Sequence, residues 1–101
     1  MKDSTRTQEH KHDDGKTRFD LVLPEFEEAV ADVMSVGAAV YGPNTWQDVD
    51  DPVERYYAAL RRHISAWRQG EAIDPESGCH HLAHAAVNCM FLMHFEEAYT
   101  K

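Results

Sequence analysis

Residues 70–93 read Gly-Glu-Ala-Ile-Asp-Pro-Glu-Ser-Gly-Cys-His-His-Leu-Ala-His-Ala-Ala-Val-Asn-Cys-Met-Phe-Leu-Met. The second half of this stretch is apolar nearly all the way round a helical wheel, the pattern of a helix buried on several sides. The first half is acidic, with Glu71, Asp74 and Glu76 preceding His80, His81 and His84. Buried polar groups are costly unless they have partners. Ligand-type side chains at the mouth of such a helix therefore call for a metal ion or a polar active site.

The reading extends outward from there. A helix is expected over residues 75–99, with Asp74-Pro75 as its start and an irregular first turn at Gly78. Asp74 is then either an N-cap or a site residue. Asp51-Pro52-Val53-Glu54 uses the same device, with Asp51 as N-cap, Pro52 at N1 and Glu54 at the capping-box position. Behind it Val53, Tyr56, Tyr57, Leu60, Ile64 and Trp67 form one apolar stripe, with His63 at its edge, and Gly70 ends the helix. Upstream, Pro24 and its following acids open a helix over 24–41, in which Phe26, Val30, Val33, Met34 and Val40 recur at helical spacing. Gly42-Pro43-Asn44 stops it. No strand-length alternating run occurs. The fold is predicted to be all-α, a small helical bundle of three main helices completed by oligomerisation as a homodimer or homotetramer.

The chain has 101 residues and a formal net charge of −8. Residues 1–14 carry no aliphatic side chain after Met1 and are expected to form a disordered polar tail, leaving 15–101 as the domain. The acidic balance argues against a nucleic-acid polymer as partner, since that needs clustered Lys and Arg. It leaves a nucleotide open, because a divalent cation reverses the local field. Cys79 and Cys89, placed on one helix, would stand about 15 Å apart along its axis and could not pair. No signal peptide and no membrane-spanning run are read, so a cytoplasmic location is expected.

On the third helix His81, His84 and Asn88 share one face. Side chains at i and i+3 can hold one ion, and imidazole is a common ligand. His63 on the second helix is placed to face them. Glu71, Asp74 and Glu76 would add oxygen ligands or act as a base for water. The bland alternative makes the histidines core-edge groups bonded to carboxylates or backbone. Trp46, in the second connection, either plugs the core edge or stacks on a planar ligand. Lys16 and Arg18 after Gly15, and Arg62 beside His63, are candidates for phosphate contacts, although no Walker A loop is present.

The ordered set Gly15-Lys16-x-Arg18, Gly37-Ala38-x-x-Tyr41-Gly42, Asn44-Thr45-Trp46, Arg62-His63, Gly70-Glu71-x-x-Asp74-x-Glu76-Ser77-Gly78 and His81-Leu82-Ala83-His84-Ala85 resembles the phage-type dATP/dGTP diphosphohydrolase family. That family is related to the MazG-like all-α nucleotide pyrophosphohydrolases. The resemblance spans residues 15–93. It implies metal-dependent hydrolysis of purine deoxynucleoside triphosphates, dGTP or dATP, to the monophosphate and pyrophosphate. Where MazG-type enzymes hold Mg²⁺ with a Glu-rich helix and a Glu-x-x-Asp, this chain has Arg62-His63 and His81-x-x-His84. The expected roles are His63, Glu71, Asp74 and Glu76 for catalysis, and His81, His84, Glu76 and Asp74 for the metal. Lys16, Arg18, Asn44, Trp46, Arg62 and Asn88 are expected at the substrate. Mg²⁺ or Mn²⁺ is the expected ion, with Zn²⁺ or another transition metal as the alternative. The location would be the host cytoplasm if the chain is phage-encoded. Two other classes remain: a histidine-metal helical-bundle hydrolase of another substrate, and a noncatalytic helical interaction protein.

Overall fold

The computed structural model describes residues 15–96. The expected tail, residues 1–14, lies outside them. Three α-helices carry the fold: α1 (Pro24–Tyr41), α2 (Pro52–Arg68) and α3 (His81–Phe95). Single 3₁₀ turns at Phe19–Leu21 and Thr45–Asp48 precede α1 and α2. Among the described residues the one β-type pairing is an isolated antiparallel bridge between Ile73 and His80. The all-α expectation is met.

α1 has the limits its sequence predicts. Pro24 fills the first position, Glu25 and Glu27 sit in the first turn, and Gly42 ends the helix at φ 92°. That left-handed conformation is open to glycine without the Cβ clash. Two terminal details differ from expectation. Asp51 does cap α2, but at φ 50° and with no side-chain capping bond, so the capping box with Glu54 is not formed. The third helix begins at His81 rather than at Pro75, and His80 is its cap: the imidazole accepts a hydrogen bond from the Leu82 N–H at 3.0 Å. The helix closes at Phe95, short of the predicted end at 99, and residues 97–101 lie outside the described part.

α3 is the hub, with α2 and α1 both packed on it. Val33 of α1 meets Ala83, Val87 and Phe91 of α3, with Ala29, Val30, Met34, Trp46, Tyr56 and Cys79 around them. Ala83 and Ala85 are small, which lets neighbouring backbone approach α3 closely. Phe91 is the centrepiece. Its ring stacks on Trp46 at 4.4 Å and meets Tyr56 at 4.6 Å. The Tyr56 hydroxyl donates to the Trp46 carbonyl at 2.7 Å and so ties the connection to α2. Cys79 precedes α3 instead of lying on it, and both cysteines are free. No helix of the described residues is long and apolar enough to cross a membrane.

Candidate metal and catalytic centre

The connection between α2 and α3 builds the site. Gly70 turns the chain out of α2, and the Glu71 N–H returns to the Ala66 carbonyl at 3.0 Å. The chain then folds on itself. The Asp74 N–H donates to the Cys79 carbonyl at 2.9 Å and the His81 N–H to the Ala72 carbonyl at 2.8 Å. Gly78, at φ 77°, makes the reversal. Asp74 therefore does not cap α3. Its Oδ1 accepts the Glu76 N–H at 3.0 Å, a local Asx turn. This tight loop sets three polar side chains, Glu71, Asp74 and Ser77, against the first turn of α3 and the His63 edge of α2.

His81 is the most enclosed member, its side chain only 5% exposed. Its Nε2–H donates to Glu71 Oε1 at 2.7 Å, and its Nδ1 lies 2.9 Å from His63 Nδ1. His84 lies one turn along α3. Its Nε2 shares a 2.7 Å hydrogen bond with Ser77 Oγ and stands 3.5 Å from Asp74 Oδ2. The His84 ring lies flat against His63, centroids 4.2 Å apart and planes within 1°. Ser77 Oγ also accepts the Cys79 N–H at 3.1 Å and is 3.4 Å from Asp74 Oδ2. Burial pushes His63 down to about 4, with the neighbouring His84 and His81 adding to the effect. Burial lowers His84 too, against the opposing pull of Asp74. Both rings are consequently neutral near pH 7, as a ligand or proton acceptor must be.

The donors fit an ion. One ligand atom each from His63, Asp74 and His81 lie within 4.8 Å of one another. Of the expected site, His63, His81, His84, Glu71 and Asp74 converge. Glu76 borders the group through its backbone while its side chain faces solvent. Asn88 is buried, and its amide donates to the His84 carbonyl at 2.9 Å, so it braces α3. Arg62 is exposed on α2 beside His63, and Lys16 and Asn44 are exposed. Arg18 makes a two-pronged ion pair with Asp20 at 2.7–2.8 Å.

Trp46 takes the core-plug reading, stacked on Phe91 with His94 and Phe95 edge-on to it. It borders a shallow groove of about 470 Å³ with Ala86, Cys89, Met90, Met93 and His94. At 100° per residue Ala86, Cys89, Met90 and Met93 point away from the His81 and His84 side of α3. Trp46 thus sits about two turns along α3 from His84, stacked on Phe91 and bordering the groove on its other side. Ser77 is the member that reading the sequence missed. The signal was available: Asp-Pro-Glu-Ser-Gly is turn-forming chemistry in which a hydroxyl is set to bond back.

An all-α domain with a buried histidine–carboxylate centre between two helices and their connecting loop is the class these features define. The chain belongs to the dATP/dGTP diphosphohydrolase, N-terminal family, whose match covers residues 6–101. A dATP/dGTP diphosphohydrolase of Salmonella phage PMBT28 is 39% identical over 82 residues, which is 81% of this chain. The same match is 28% of that relative, so the chain spans little more than a quarter of its length. No solved structure matches the chain.

Proposed function

We propose that this domain carries the hydrolytic centre of a purine deoxynucleoside triphosphate diphosphohydrolase. The reaction converts dGTP or dATP and water to the monophosphate and pyrophosphate. The observation that supports it is the convergence of His63, Asp74 and His81 from three separate segments onto one ion-sized space, with His84 and Glu71 beside them. A divalent cation held there by His63, His81 and Asp74 would offset charge on the phosphates.

The chain's own groups have distinct tasks. Glu71 holds the His81 proton on Nε2 and so fixes that ring's orientation. Ser77 holds His84 beside Asp74. Glu71, though exposed, is bonded to His81 and Asp74 closes the Asx turn, so Glu76, exposed on the same loop, accepts the proton of the attacking water. The water oxygen forms the new bond to the α-phosphorus, and the bond from that phosphorus to the bridging oxygen breaks. The electron pair leaves with pyrophosphate. Arg62 and Lys16, both exposed cations, contact the phosphates. Self-association accompanies the activity: Val53, Tyr57, Ile64 and Trp67 of the α2 stripe are each at least 40% exposed, more apolar helix surface than α3 covers.

The test is pyrophosphate release from dGTP and dATP, read across a panel of divalent ions. Release by wild-type protein that is lost in Glu76→Gln supports the reading. Wild-type protein inert on every deoxynucleoside triphosphate with every ion removes it from this domain.

A further inference from the structure

The contact between His63 and His81 fixes more than proximity. Glu71 is an acceptor, so the His81 proton resides on Nε2 and its Nδ1 presents a bare lone pair. That lone pair points at His63 Nδ1, 2.9 Å away. In the ion-free protein His63 Nδ1–H donates to it. Shifting the His63 proton to Nε2, with no change in charge, leaves a free lone pair on each of the two facing Nδ1 atoms.

We propose that His63 Nδ1, His81 Nδ1 and the Asp74 carboxylate form a two-histidine, one-carboxylate site for a single first-row transition cation, and that His84 is not a ligand. This deepens the metal-dependent reading above and rests on it. The spacing supports a shared ion. Two nitrogens each about 2.0–2.1 Å from an ion stand about 2.9 Å apart at a right angle, but about 3.4 Å apart at the tetrahedral angle of structural zinc. The hydrogen-bonded separation of 2.9 Å in the ion-free protein brings the two nitrogens within reach of one ion. A carboxylate on the far nitrogen of a ligating histidine is the usual outer support, and Glu71 supplies it. Two imidazoles with one carboxylate favour ions such as Fe²⁺, Co²⁺ or Ni²⁺, whereas Mg²⁺ prefers oxygen donors.

Ring planes exclude His84. An imidazole lone pair lies in the plane of its ring. His63 and His84 are parallel within 1° and stacked, so an ion in the plane of one lies outside the plane of the other. The His81 plane is tilted by 48° to that of His63, and those two planes do intersect. His84 instead bonds Ser77 and lies beside Asp74, which makes it a positioning residue for the carboxylate.

The experiment is titration of chelator-stripped protein with Co²⁺ and with Mg²⁺ by calorimetry and visible absorption, without nucleotide. One Co²⁺ per chain is expected, with the weak bands of a five- or six-coordinate ion. Mg²⁺ should bind at least about tenfold more weakly. Asp74→Asn and His63→Ala should each lower Co²⁺ affinity by at least about tenfold, and Glu71→Gln by about ten- to a hundredfold. His84→Phe, which keeps a stacked ring but loses the Ser77 bond, should lower Co²⁺ affinity less than His63→Ala or Asp74→Asn does, since a support and not a ligand is lost. Ring-nitrogen NMR of the wild type needs no variant: Co²⁺ should shift or broaden His63 and His81 far more than His94. Undiminished binding in a folded His63→Ala protein, equal affinity for Mg²⁺, or no bound Co²⁺ overturns the site. Co²⁺ bound in this pattern by protein inert on every nucleotide keeps the site and retires the hydrolase reading. Hydrolysis with Mg²⁺ that survives His63→Ala does the opposite.

Discussion

Replacing Ser77 by Ala removes one oxygen and breaks two hydrogen bonds of the centre at once. Ser77 Oγ shares a 2.7 Å hydrogen bond with His84, accepts the Cys79 N–H at 3.1 Å, and lies 3.4 Å from Asp74 Oδ2. The last distance is long and is discounted. The other two leave an imidazole nitrogen and a backbone N–H without their partner, each at about 1–3 kcal/mol when water cannot replace it. Here water partly can, because the His84 side chain is 16% exposed. The low end applies to both, for a total of about 2 kcal/mol. In a domain of this size that lowers Tm by about 8–16 °C. Ser77→Thr keeps a hydroxyl and should recover most of the loss. Circular dichroism melts of the three proteins in EDTA measure it. A Ser77→Ala melt within about 2 °C of wild type would show that the hydroxyl holds nothing.

Three further outcomes follow from other parts of the molecule. Phe91→Ala empties the space between Trp46 and Tyr56 and should cost about 3–5 kcal/mol in denaturant unfolding; a cost below about 1 kcal/mol would mean that the aromatic stack does not carry the core. Metal-free protein should lose stability as pH falls from about 6.5 toward 4. Over that window the unfolded chain protonates His63 and the folded chain, with His63 held at about 4, does not; His84 is shifted the same way, so protons favour unfolding. A Tm flat from pH 7.5 to 5, or an equal fall in the His63→Ala variant, contradicts this. Light scattering at micromolar concentration should give a mass above one chain, with Tyr57→Glu and Ile64→Glu on the exposed α2 stripe shifting it to the monomer; a wild-type monomer would refute self-association.

The sequence carries the helices better than their junctions. α1 and α2 are amphipathic or bracketed by Pro and Gly, and their limits follow from those signals. α3 is apolar on almost every face, so periodicity says that it is buried but not which side meets which neighbour. Its start is misread for a physical reason. Asp-Pro is helix-start chemistry, yet Asp74 spends its carboxylate on an Asx turn to Glu76, and Gly78 at positive φ allows the chain to reverse before His80 can cap the helix.

The site follows the same division. Spacing on α3 puts His81 and His84 on one face and makes both look like ligands of one ion. The proposed distinction between them rests on relative ring orientation, which no helical wheel contains. His63 arrives from α2, eighteen residues upstream of His81, and its plane crosses that of His81 while lying parallel to that of His84. Glu71, ten residues before His81, then decides which nitrogen of His81 faces inward. Residue type and period thus identify the groups, and the fold of an eleven-residue loop, from Gly70 to His80, arranges them. Shortening or stiffening that loop, for example by Gly78→Ala at φ 77°, strains the reversal that holds Asp74 and Ser77 in place. The expected result is weaker Co²⁺ binding in a protein whose Phe91 core still melts cooperatively. Unchanged ion affinity in Gly78→Ala would mean that the helices alone set the donors.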